Sequence, residues 1–143
     1  MRYDRFDMST KSTAAEGTRA SVEPGTLAIL CVLAWAVPGA AHLWLGRTQK
    51  GLVFLVALTA MFAIGLMLHG QIFPFELSDP LVALAAVADF GLGGPWLAAR
   101  AMGAGAGQVT ASTWEYGNTF LIVAGLLNSL VILDAFDIAM GRK

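Results

Sequence analysis

An all-α fold assembled in lipid follows from three features of this sequence. Hydrophobic residues make up 57% of it and charged residues 13%, whereas soluble domains carry roughly 25% charge. The apolar residues come in four blocks rather than in half-buried alternation. Each block approaches the roughly 20 residues a helix needs to cross a hydrocarbon core of about 30 Å. The prediction is an integral membrane protein of four transmembrane helices, over about 27–45, 51–69, 80–102 and 116–140, behind a polar tail at 1–25. The first and third helices are predicted to be kinked, at Pro38 and at Gly91–Pro95.

The tail balances Arg2, Arg5, Lys11 and Arg19 against Asp4, Asp7, Glu16 and Glu23. It has too few apolar residues to bury anything and is predicted to be flexible. Ser21, Glu23 and Pro24 read as the approach to a helix. A cleaved leader ending at Ala34-Trp35-Ala36 is rejected, because the preceding region is long and not basic and the apolar run continues past it.

In the first segment Pro38 removes a backbone donor and crowds the preceding turn, so the helix should kink or break there. Gly39 and the alanines after it let another helix come close. Gly46 to Lys50 is a short polar link that forces a hairpin with the second segment. There Ala57, Met61 and Gly65 form a stripe at helical spacing. The Gln71–Asp79 loop carries Glu76 and Asp79 and no Lys or Arg. Its aromatics Phe73 and Phe75 are predicted at headgroup level, and Asp79 or Ser78 should cap the third helix, with Pro80 in its first turn. Gly91, Gly93, Gly94 and Pro95 interrupt that helix. The glycines at 103, 105 and 107 lack dinucleotide-loop spacing and read as a flexible loop. In the fourth segment Gly117, Ala124, Gly125, Asn128 and Ala135 share one face, which should pack on a neighbouring helix with Asn128 donating across the contact.

Four spans place both termini on one side. Six Lys/Arg then lie with the termini and three, Arg47, Lys50 and Arg100, opposite, so the termini are predicted to be cytoplasmic. An alternative has the first segment turn back at Pro38-Gly39. Arg47 and Lys50 then join the N-terminus, while the acidic loop, Arg142 and Lys143 lie outside.

A net charge of −1 provides no basic field for nucleic acid. Cys31 is a lone cysteine in an apolar run, read as a small buried hydrophobe without disulfide or metal. Asp89 sits within a spanning segment, where a carboxylate is costly and marks either a polar lock or a proton or cation relay. Asp134 and Asp137 lie three residues apart near one face. They read as an acidic edge pairing with Arg47, Arg100 or Lys50, or as further members of such a relay. His42 and His69 are more readily explained as interfacial groups than as ligands, since no His or Cys accompanies them at ligand spacing. Trp35, Trp44, Trp96 and Trp114 read as interface anchors. No nucleophile–base pair, phosphate loop or zinc motif can be assembled, so neither cofactor nor metal is expected.

Two blocks carry a resemblance. Pro38-Gly39, His42, Leu45-Gly46-Arg47 and Lys50-Gly51 resemble the two-transmembrane-helix domain family, although Leu43-Trp44 replaces the Phe-Tyr-like pair after its histidine. Glu115-Tyr116-Gly117-Asn118-Thr119, Ala124-Gly125-Leu126-Leu127-Asn128 and Leu133 to Ala139 resemble the C-terminal signature of short bacterial multi-pass membrane proteins of unknown function. That resemblance implies a bacterial inner-membrane protein and assigns no catalytic residue. The expected function is non-enzymatic: a structural or assembly subunit in the lipid bilayer, associating with itself or a larger membrane complex through Gly/Ala-rich helix faces. The alternative is a small transporter or ion- or proton-conducting oligomer using Asp89.

Overall fold

The computed structural model describes residues 22–143; the tail predicted at 1–25 lies outside them as far as residue 21. The described residues form six helices: α1 Pro24–Ala36, α2 Ala40–Trp44, α3 Thr48–Met67, α4 Pro80–Phe90, α5 Gly94–Ala101 and α6 Trp114–Ala139. The four predicted crossings need correction. Among the described residues only α3 and α6 are single helices long and apolar enough to cross a membrane, with mean hydropathies of 2.1 and 2.0; α4 with α5 is a third candidate, bent by 108°. At 1.5 Å per residue, α3 is about 30 Å long, but α1 only about 20 Å and α4 about 16 Å.

The breaks fall where the backbone cannot continue as helix. Pro38 offers no N–H, and Gly39 after it sits at φ +81°, a region open mainly to glycine. Between α4 and α5 the equivalent hinge is Gly93 at φ +60°, and Pro95 starts α5 in the first turn, where a missing donor costs nothing.

The order half-helix, short helix, long helix thus occurs twice, but the two sets do not pack equivalently. α6 is the hub, with α3, α1 and α4 all lying against it. α3 runs antiparallel to it: Gly65 and Gly70 near the end of α3 meet Leu121 and Gly117 near the start of α6, and Lys50 near the start of α3 reaches Asp134 near the end of α6. α1 brings Leu30 and Ala34 along α6 beside Ala135, and after the break Ala41 and Leu45 return to the same cluster. α4 follows the other half of α6, with Leu81 and Ala85 bordering a cleft shared with Ile122 and Gly91 against Gly125 and Ser129. α5 then leads back to Ala104 and Ile72, beside the start of α6. Both broken pairs therefore enter and leave at one end of α6, and they do so at opposite ends.

Three smaller expectations also change. The stripe expected at Ala57, Met61 and Gly65 is rotated, so that α3 buries Gly51, Leu58, Phe62 and Gly65 and leaves Ala57 exposed. The glycine loop at 103–107 is not free: Gly105 presses on Ile72, Gly107 on Gln71, and Ala106 bridges to Gln71 in antiparallel register. Glu23 precedes α1 without a side-chain cap. The Asp79 carboxylate does cap α4, accepting from the Leu81 N–H at 2.9 Å.

Candidate functional site

The two half-helices meet tip to tip beside the middle of α6. Each tip ends in carbonyls that no later turn of helix can satisfy. Fully buried Asn128 supplies the donor: Nδ2 bonds the Gly91 carbonyl at 2.9 Å and the Ala34 carbonyl at 3.4 Å. Trp35 Nε1 donates to the Phe90 carbonyl at 2.9 Å, tying the end of α1 to the end of α4. The backbones approach closely because the contact residues lack side chains. A Cβ at Gly93 would overlap the Trp35 carbonyl, one at Gly94 the Ala36 carbonyl, and one at Gly125 the Ala88 carbonyl.

Asp89, one residue before the end of α4, is fully buried. Its Oδ2 accepts the Phe73 N–H at 3.0 Å, and its Oδ1 has no hydrogen-bond partner. Phe73 and Phe75, predicted at headgroup level, belong to this junction. Phe75 packs edge-on against Phe90 and Trp96, and Phe90 in turn against Trp35 and Trp96.

A second polar group lies at the other end of α6. His42, fully buried on α2, has Nε2 3.0 Å from Asp134 Oδ2, across 92 residues of sequence. Lys50 lies 3.9 Å from the same oxygen, and Lys143 bonds the other. That bond holds the Lys143 ammonium above the ordinary lysine range. Asp137 faces outward and pairs with Arg142 at 3.4 Å. The residues named as a relay thus fall into separate groups: no hydrogen bond among the described residues joins Asp89 to Asp134 or Asp137.

The remaining motif residues are mostly structural. Pro38 and Gly39 form the first break, and Gly39 packs against Gly51 on α3. Gly46 turns the chain at φ +75° and Arg47 precedes α3. Gly117 packs on Gly70. Asn118 Oδ1 accepts the Gln71 N–H at 2.7 Å, fastening the loop after α3 to α6. Tyr116 is exposed. Among the described residues no group of three His, Cys, Asp or Glu side chains could hold a metal. Sequence reasoning missed Trp35, Phe73 and Lys143 as polar partners; a backbone amide or an indole gives no motif to find.

Helices long and apolar enough to cross a membrane, flanked by broken helices that meet beside one of them, define the class as a small helical membrane protein. Within that class the chain belongs to a family of unknown function (DUF6677), which it matches over residues 29–143. No curated protein and no solved structure matches it.

Proposed function

We propose that this is a multi-pass protein of a bacterial cytoplasmic membrane that performs no catalysis and acts as an assembly subunit, with α3 and α6 crossing the bilayer and the α1–α2 and α4–α5 pairs entering it from opposite faces. The observation that carries the assembly reading is the flank of α1. This helix is too short to cross, buries only Leu30 and Ala34, and turns Ile29 and Val32 outward, with exposed Val37 directly after its last residue. A half-depth helix ending in a break gains most from a further helix laid along it, since irregular backbone at membrane depth is tolerated against protein rather than lipid. The orientation rests on charge. Arg47, Lys50, Arg142 and Lys143 gather at the end of α6 where α1 enters, and Arg100 alone of the described cations belongs to the other end, so the first end is cytoplasmic.

The test is a photo-reactive residue at Val32 in native membranes. One discrete protein adduct, with a second copy or another chain, is the expected product; adducts with lipid alone would overturn the reading. A second reading, proton or cation conduction at Asp89, is favoured by its buried and unpartnered Oδ1. Loss of ion or proton flux in liposomes on Asp89→Asn would put that reading first.

A further inference from the structure

We infer that the outer groove between α3 and α6 is a binding site for one anionic phospholipid, with an acyl chain in the groove and the headgroup on Arg47 and Lys50. The inference rests on the membrane reading above. The groove encloses about 390 Å³ and is apolar along nearly its whole length, from Met61 and Leu127 to Val53 and Leu130. It runs along about two turns of α3, some 12 Å, the depth of the upper part of an acyl chain. At its cytoplasmic end it closes on Asp134.

The charge there selects the headgroup. The Asp134 carboxylate is already met by Lys50, Lys143 and His42. Arg47 has no carboxylate within salt-bridge distance among the described residues, and its charge acts through space on the Lys143 ammonium. Arg47 and Lys50 also line a shallow cup of about 350 Å³ at the start of α3, one turn beyond the groove. The groove mouth thus offers cations beyond those its carboxylate neutralises. An anionic phosphodiester with a neutral distal group matches both parts. A zwitterionic headgroup brings its own cation into the cluster, and a second copy of this chain would bring the same positive face against itself.

The experiment uses the full chain in mild detergent, with phosphatidylglycerol or phosphatidylcholine of equal chain length added and retention read by native mass spectrometry. Phosphatidylglycerol is expected to be retained preferentially, with one lipid per chain. Arg47→Gln with Lys50→Gln should cut that preference about thirtyfold, the weight of two surface cations near an anionic headgroup. Ala57→Phe, at an exposed position inside the groove, should reduce retention of both lipids while leaving helicity by circular dichroism unchanged. Glycerophosphate, which has the headgroup and no chain, should not compete. Equal retention of both lipids, a preference surviving the double substitution, or full competition by glycerophosphate would overturn the site. So would a dimer cross-linked through Ala57→Cys. A chain that stays dissolved without detergent would instead remove the membrane reading itself.

Discussion

The Asn128 side-chain amide donates to the Gly91 carbonyl at 2.9 Å, and this bond holds the end of a half-helix against the middle of α6. The same amide leans on the Ala34 carbonyl at 3.4 Å, so one side chain serves the tips of both broken pairs. Asn suits the place because its NH₂ group has two donors on one nitrogen. Substitution to Leu keeps the bulk and removes both. An orphaned buried acceptor costs about 1–3 kcal/mol, so Asn128→Leu is expected to lower unfolding free energy by about 2–5 kcal/mol, seen as an earlier thermal midpoint in detergent. A midpoint unchanged from the parent would mean the tips hold together without this residue.

Glycines in this fold fall into two kinds that substitution separates. A Cβ at Gly125 would overlap the Ala88 carbonyl, backbone against backbone, and α4 would have to leave α6. Gly125→Ala is expected to cost at least the 1–3 kcal/mol typical of an overpacked core, with little monodisperse protein recovered. Gly46 has a positive φ but open space around it. Gly46→Ala should cost about 1 kcal/mol from left-handed strain alone and leave recovery intact. Equal losses in the two variants would contradict the packing argument.

The Asp134 cluster separates buried from exposed polar contacts. His42 is fully buried and packs edge-on against Phe54 at 5.1 Å. His42→Ala removes that packing together with a hydrogen bond, for an expected loss of about 2–4 kcal/mol. Lys143 is exposed, and Lys143→Gln should leave the thermal midpoint at neutral pH unchanged, as exposed pairs contribute little. The bond to Asp134 raises the Lys143 pKa on folding. Its contribution is therefore complete below the unfolded lysine value of about 10.4 and is lost as pH rises through the folded one. A nitroxide at position 142 should remain restrained from pH 7 to 9 and loosen only in strongly alkaline solution. Loosening near neutrality would assign the tie to another group.

Asp89 has a use in the fold that needs no charge. Its Oδ2 accepts the Phe73 N–H, and an amide oxygen can do the same. Asp89→Asn is expected to keep the fold, while Asp89→Leu strands the Phe73 N–H and should cost about 1–3 kcal/mol. Thermal melts of the two variants check this. If Asn is as damaging as Leu, the carboxyl group itself is required.

Much of this structure can be read along the chain because it is local. The apolar blocks, the breaks at Pro38-Gly39 and Gly91–Pro95, the Asp79 cap and the small-residue face of α6 all follow from neighbours a few residues apart. A kink and a reversal, however, look alike in sequence, since both need only a proline or a glycine. What turns the first break into a reversal is Asn128, 94 residues after Ala34, together with the seating of Gly39 on Gly51. The second depends on Gly93 and Gly94 fitting against Trp35 and Ala36. These are non-local contacts between residues with no shared motif. The same holds for His42 and Asp134, each visible as a polar residue in an apolar segment but not as partners.

The reversals make a prediction about sidedness that separates three topologies. In a background with Cys31→Ser, single cysteines at Gln49, Glu76, Gln108 and Arg142 can be probed with an impermeant maleimide in oriented vesicles. Four full crossings would place 49 with 108 and 76 with 142. A reversal of the first pair alone would place 49 with 108 on the cytoplasmic side and 76 with 142 outside. Reversal of both pairs places 49 with 142 and 76 with 108. The last pattern is expected, because Lys50 and Lys143 both reach Asp134 while the Gln108 N–H bonds the His69 carbonyl at the end of α3. These contacts span only a few ångströms and cannot form through a bilayer of about 30 Å. Labelling of 49 and 142 from opposite faces would therefore overturn the arrangement of α1, α2 and α6 together.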